Sequence, residues 1–130
     1  MSTQITAGAV LYAMDVKRLA AFYAGVADLK EARSEPDNVV LEAGGFQLVV
    51  FAIPPHIAAQ IQISTPPQRR EETPIKLVFV VRSLAGARAA AKRLGGELAA
   101  EDQVWEFQGL YVCDGYDPEG NVIQVRAHAL

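Results

Sequence analysis

The sequence predicts an α+β protein made of two tandem strand–helix–three-strand repeats. Three observations carry that prediction. Each half of the chain opens with an apolar run that stops at a helix N-cap residue and then continues at helical spacing. Each half goes on to short strand-length runs set around turn residues. Between the halves, residues 54–74 hold five of the seven prolines.

The first strand is read over Ile5 to Met14, apolar and partly β-branched. Asp15 stands where its carboxylate can accept from the free N–H groups of a first helical turn. In Val16 to Val26, the residues Val16, Leu19, Ala20, Phe22, Tyr23 and Val26 fall on one stripe, which is helical spacing. A short segment to Ser34 meets the turn Glu35-Pro36-Asp37-Asn38. Val39 to Glu42 and Phe46 to Ile53 then flank Ala43-Gly44-Gly45, a hairpin whose glycines supply positive φ. In the proline-rich connection, Ile57, Ala58 and Ile61 suggest a short helix stopped by Thr65-Pro66-Pro67.

The second half repeats the plan. Ile75 to Arg82 is a strand, Ser83 its N-cap, and Leu84 to Leu94 an Ala-rich helix ended by Gly95-Gly96. Three short segments follow, near Glu97 to Ala99, Val104 to Phe107 and Leu110 to Cys113. The turn Asp117-Pro118-Glu119-Gly120-Asn121 leads into a last strand, Val122 to Ala127. A shift of 68 residues lays Asp15 on Ser83; later in each half a shift of 75 lays Gly45 on Gly120 and Val49 on Gln124. The chain is therefore read as one domain over 1–130, with a first module over about 5–53, a linker over about 54–73 and a second module over about 74–128.

Composition narrows the function. The 130 residues carry 12 Lys+Arg against 15 Asp+Glu, net −3, and the clustered Arg69-Arg70 is followed at once by Glu71-Glu72. No basic face for nucleic acid is expected. No apolar run approaches the ~18 residues that cross a bilayer, so no membrane partner is expected. The start Met1-Ser2-Thr3-Gln4 lacks the pattern of a secretory leader, and the single Cys113 cannot form an internal disulfide. A cytoplasmic location is the expectation.

A strand ending in Asp15, an amphipathic helix containing Ala21-Phe22-Tyr23, a glycine hairpin and the closing Asp117-Pro118-Glu119-Gly120-Asn121 turn resemble the vicinal oxygen chelate superfamily. That group includes glyoxalases, extradiol dioxygenases and the bleomycin- and fosfomycin-resistance proteins. The resemblance covers nearly the whole chain, and the Asp-Pro-x-Gly-Asn turn is its most specific piece. It implies the glyoxalase/bleomycin-resistance fold, two βαβββ modules forming a curled, barrel-like sheet around a cavity. It also implies a homodimer, often with modules paired across subunits.

In metal-dependent members of the superfamily, the ligand positions correspond to Gly8, Val49, Lys76 and Gln124. Glycine and valine have no donor atom, a protonated lysine has no lone pair, and one amide oxygen does not hold a divalent ion. No metal and no other cofactor is expected. His56, His128 and Cys113 lack close ligand spacing, and Cys113 reads as a small buried hydrophobe.

If those positions point inward, strand alternation turns Val10, Tyr12, Gln47, Phe51, Val78, Val80, Val122 and Arg126 inward with them. The opposite set, Ala9, Leu11, Leu48, Val50, Leu77, Phe79, Ile123 and Val125, packs under the helices. The candidate ligand-binding residues are Tyr12, Gln47, Val49, Phe51, Lys76, Val78, Trp105, Gln124 and Arg126. Each also has a plain reading. Lys76 reaches solvent by its flexible stem; Tyr12 is core; Arg126 sits at the rim; Gln124 satisfies backbone groups; Trp105 is a lid, a wall or an interface residue.

Three functions compete. The first is a metal-free protein that binds a small neutral or anionic organic molecule. A cationic drug such as bleomycin suits Lys76 and Arg126 poorly unless Glu42, Glu101, Glu106 or Asp114 reaches the cleft. The second is a lyase, isomerase or dioxygenase working without the usual metal, with Lys76 or Glu106 as acid or base. The third is an interaction module whose cavity is filled by its own side chains.

Overall fold

The computed structural model describes residues 4–130; residues 1–3, part of the start read above for a leader, lie outside the described residues. The chain runs β1 (Ala7–Ala13), α1 (Val16–Ala27), β2 (Lys30–Glu35), β3 (Asn38–Ala43), β4 (Phe46–Ala52) and α2 (Pro55–Ala58). It continues as β5 (Leu77–Ser83), α3 (Leu84–Arg93), β6 (Glu97–Leu98), β7 (Trp105–Phe107), β8 (Leu110–Tyr116) and β9 (Val122–Ala129). The class is α+β, with two sheets of mixed strands. One has the order β1-β4-β3-β2; the other has β5-β9-β8-β6, with β7 also on β8.

Local chemistry fixes several element ends. Asp15 accepts from the Arg18 N–H at 3.1 Å and caps α1, and Ser83 accepts from the Gly86 N–H at 3.0 Å and caps α3. The β3–β4 turn holds Gly44 and Gly45 at φ 54° and 85°, the pairing a tight hairpin needs. β5 begins at Leu77 rather than Ile75, because the linker residue Arg70 forms a parallel bridge to Asn121 just ahead of β9.

The register carries the internal repeat. In the parallel pair β1–β4, Val10 lies beside Val49 and Tyr12 beside Phe51. In β5–β9, Val78 lies beside Gln124 and Val80 beside Arg126. These are the partners that the sequence shifts give. The halves differ at one edge: where the first has the single strand β2, the second has β6 and β7, separated by a 3-10 turn at Glu101–Gln103 and both antiparallel to β8.

One hydrophobic cluster serves both halves. Leu19, Phe22 and Tyr23 of α1, Leu84 and Ala91 of α3, Leu48 and Val50 of β4, and Ile123 and Val125 of β9 are all buried in it. Phe79 of β5 packs on Tyr23 at 5.5 Å and on Phe46 of β4 at 6.2 Å between ring centroids, which ties the two sheets together through their helix-side faces. The sheets stay separate and do not close on each other. Their other faces are left open.

Candidate functional site

The open faces are built by two-residue alternation. In β1 and β4 the core side takes Leu11, Leu48 and Val50, so Val10, Tyr12, Val49 and Phe51 emerge on the far side. Val10 is 57% exposed and Tyr12 58%, so Tyr12 is a face residue and not core. In β5 and β9, burial of Phe79, Ile123 and Val125 turns Val78, Val80, Gln124 and Arg126 outward, with Val80 63% exposed. Trp105 and Phe107, on the short β7, are exposed as well.

The second sheet carries a continuous polar chain. The Lys76 ammonium donates to Asp114 Oδ2 at 2.9 Å as an ion pair, and the Gln124 amide donates to Asp114 Oδ1 at 3.3 Å. Arg126 Nε donates to the Gln124 carbonyl oxygen at 2.8 Å, and the Arg126 guanidinium lies 5.1 Å from the Phe107 ring centroid. On the first sheet the Gln47 amide donates to Glu42 at 3.0 Å. The candidate residues thus form two groups. Tyr12, Gln47, Val49 and Phe51 share one face, while Lys76, Val78, Trp105, Gln124 and Arg126 share the other. Among the described residues no hydrogen bond joins the two groups.

Asp114 and Phe107 complete the second face. Asp114 stood in the sequence only as a carboxylate able to reach the cleft. Alternation in β8 was the available signal, since burial of Cys113 and Gly115 leaves residue 114 on the other side. Phe107 gave no signal of its own; only the β7–β8 pairing brings it to Arg126.

Three clefts bear on this geometry. One of about 540 Å³, mainly apolar, opens between β1 and the start of β5 and is lined by Gly8, Val10, Ile75, Leu77 and Val122, with Tyr23 alongside. A second of about 480 Å³ lies beside Trp105, Asp114 and Tyr116. There the Tyr116 hydroxyl donates to Glu97 at 2.8 Å, and this bond pushes the phenol upward from its ordinary pKa. The largest of the three, about 630 Å³, sits on the linker beside Ser64, Arg69 and Arg70; of the candidate ligand-binding residues only Trp105 lines any of these clefts, the second.

The closing turn is a buried lock. Asp117 Oδ1 accepts from the backbone N–H of Glu119 and Asn121, and its Oδ2 from the Tyr23 hydroxyl and the Asn121 amide. The Glu119 carboxylate accepts from the N–H groups of Met14 and Asp15, at the junction of β1 and α1. Burial pushes the Asp117 carboxyl up from its ordinary pKa, against the pull of these donors.

The family model of a glyoxalase-like domain matches residues 8–126. This chain belongs to the glyoxalase-like family. It is a vicinal oxygen chelate protein by family and by fold. A glyoxalase/bleomycin resistance protein from Albidiferax ferrireducens superposes with a TM-score of 0.65 at 16% identity, covering 94% of this chain and 97% of that one. A glyoxalase/bleomycin resistance protein/dioxygenase family enzyme from Burkholderia phytofirmans gives 0.65 at 22% identity, covering 92% and 95%. The fosfomycin resistance protein FosX from Listeria monocytogenes gives 0.64 at 17% identity, covering 98% and 94%. At these identities the likeness is one of fold. No curated protein matches the sequence.

The four positions at which the resemblance places metal ligands, Gly8, Val49, Lys76 and Gln124, are poorly supplied with donor atoms. Gly8 and Val49 have none on their side chains, and a Cβ added at Gly8 would stand 2.6 Å from the Gln47 carbonyl oxygen. The Lys76 ammonium is taken by Asp114, and the Gln124 carbonyl oxygen by Arg126. This donor set does not fit a divalent ion. Among the described residues no group of three or more His, Cys, Asp or Glu side chains could hold a metal ion. No helix of the described residues is long and apolar enough to cross a membrane.

Proposed function

We propose that this glyoxalase-like protein is a metal-independent binding protein for a small neutral or anionic organic molecule, which it holds against the open sheet faces. The observation that carries this reading is the state of the four ligand positions. Two lack side-chain donors, and the other two, Lys76 and Gln124, are committed to Asp114 and Arg126. Lys76, the residue best placed for acid–base work on this face, is tied up with Asp114. The exposed Val10, Tyr12 and Val80 favour an open cavity over one filled by its own side chains. The reading includes one domain of two modules joined by the linker, in the cytoplasm.

The reading also includes a homodimer in which the open face of the first sheet covers that of the second sheet of its partner. Both faces expose large apolar side chains, Val10, Tyr12 and Phe51 on one and Val78, Val80 and Trp105 on the other, which a partner's face would cover. Members of the family are often dimers.

Metal analysis of untagged protein purified without chelator, paired with melting curves in zinc, nickel, manganese and ferrous iron, tests the first part. Substoichiometric metal and unchanged melting are expected; one tightly held metal per chain overturns the reading. Sedimentation of the wild type and of Val80→Asp tests the second. A wild-type dimer and a folded monomeric variant are expected, and a monomeric wild type overturns it.

A further inference from the structure

We propose that Arg126 is the anchor for a carboxylate, so that the bound molecule is a monocarboxylic acid with an aromatic or similarly flat apolar body. This rests on the reading above that the open face holds a small organic molecule, and it names the class.

Arg126 stands in a row that crosses four strands. Register places Val80 of β5 on one side of it and Val112 of β8 on the other, with Trp105 of β7 beyond Val112. Val80 and Trp105 stand three strand spacings, about 14 Å, apart, with the Arg126 and Val112 side chains in the two positions between them. Val80 and Trp105 are exposed while Val112 is covered, so the surface of the row is a strip of two apolar side chains with one cation between them.

That cation is held but not neutralised. Its Nε is used by Gln124, and Phe107 lies against the guanidinium, which together fix the plane of the group. The four N–H bonds of the two Nη atoms remain, arranged as the fork that matches a carboxylate. Lys76 is paired with Asp114 and Arg82 lies 3.9 Å from Asp28, whereas among the described residues Arg126 has no carboxylate at ion-pair distance.

The charge count selects a monoanion. Asp114 cancels Lys76 and leaves one net positive charge on the strip. A dianion would carry surplus charge next to Asp114, and a cation would be repelled by Arg126. Gln124 and Asp114 act here as positioning residues, holding the guanidinium from behind.

The chain has one tryptophan, Trp105, so its fluorescence reports on the strip. The wild-type protein is titrated with phenylacetate, its neutral amide and phenylphosphonate, at constant ionic strength and pH 7, by fluorescence and calorimetry. Saturable binding of phenylacetate is expected, with the amide and the phosphonate each about tenfold weaker. Arg126→Gln, checked for folding by circular dichroism, is expected to lose that preference by weakening phenylacetate to the level of the amide. Arg126→Lys, which keeps the charge but not the fork, is expected to fall between. Equal wild-type affinity for acid and amide, or undiminished phenylacetate binding in Arg126→Gln, overturns the anchor while small-molecule binding stands. Tighter binding of phenylphosphonate overturns the single-charge argument. No binding of any of the three by the wild type overturns the proposal together with the reading beneath it.

Discussion

The Tyr23 hydroxyl donates to Asp117 Oδ2 at 2.6 Å, joining the first helix to the closing turn across 94 positions of sequence. Both groups are buried, and Asp117 spends its remaining capacity on the backbone and amide of its own turn. Glu119, two residues on, reaches the N–H groups of Met14 and Asp15. The closing turn therefore works as a clasp between the two halves, away from the open sheet faces.

Tyr23→Phe keeps the ring against Phe22 and Phe79 and removes only the donor to a buried carboxylate. A loss of about 1.5–3 kcal/mol in unfolding free energy is expected. Chemical denaturation measures it, and a change below about 0.5 kcal/mol shows that the hydroxyl is dispensable to the clasp.

Asp117 sets a pH trend with a definite sign. Burial raises its folded pKa above the ordinary value of about 3.9, so over the interval between the two the folded state holds more protons than the unfolded. Its contribution is fully present below the ordinary value and is lost as pH rises through the raised one. The unfolding free energy of the wild type minus that of Asp117→Asn is expected to fall as pH climbs from about 3 to about 7. A difference that grows over that range contradicts the assignment.

Gly8→Ala tests the close approach of β1 and β4. The new Cβ would meet the Gln47 carbonyl oxygen at 2.6 Å, a backbone atom that cannot swing away. A loss of about 1–3 kcal/mol is expected, against a gain of about 0.5–1 kcal/mol if the strand simply tolerates alanine. Thermal and urea unfolding distinguish the two.

Lys76→Met separates the charge balance of the strip from stability. The Lys76–Asp114 pair is partly exposed, so unfolding free energy is expected to change by less than about 1 kcal/mol. Binding of phenylacetate is expected to weaken several-fold, because Asp114 is left uncompensated beside Gln124. Unchanged affinity shows that Lys76 does not set the charge seen by the ligand.

Much of the face was legible because strand alternation is strict. Once Leu48, Val50, Ile123 and Val125 are assigned to the core, Val49, Gln124 and Arg126 have only one side left. Tyr12 was less legible: a tyrosine among valines and alanines satisfies a core as well as a face, and only its exposure decides. The partners Asp114 and Phe107 depend on how β8 lies against β7 and β9. Two short segments in the second half serve one edge, which spacing along the chain does not reveal.

By itself the sequence determined what is local or periodic: the N-caps at Asp15 and Ser83, the glycine hairpin, the two faces of each strand, the repeat and its shifts, and the poor donor set at Gly8, Val49, Lys76 and Gln124. These follow from backbone conformation, side-chain period and donor atoms, which are properties of a residue and its near neighbours. Only the tertiary structure decided that the sheets stand apart with their helix-side faces joined, that Asp117 and Glu119 clasp the first half, and that Arg126 is left with no carboxylate partner among the described residues. Those outcomes turn on contacts between groups dozens of residues apart, where packing chooses among partners that chain spacing leaves equivalent.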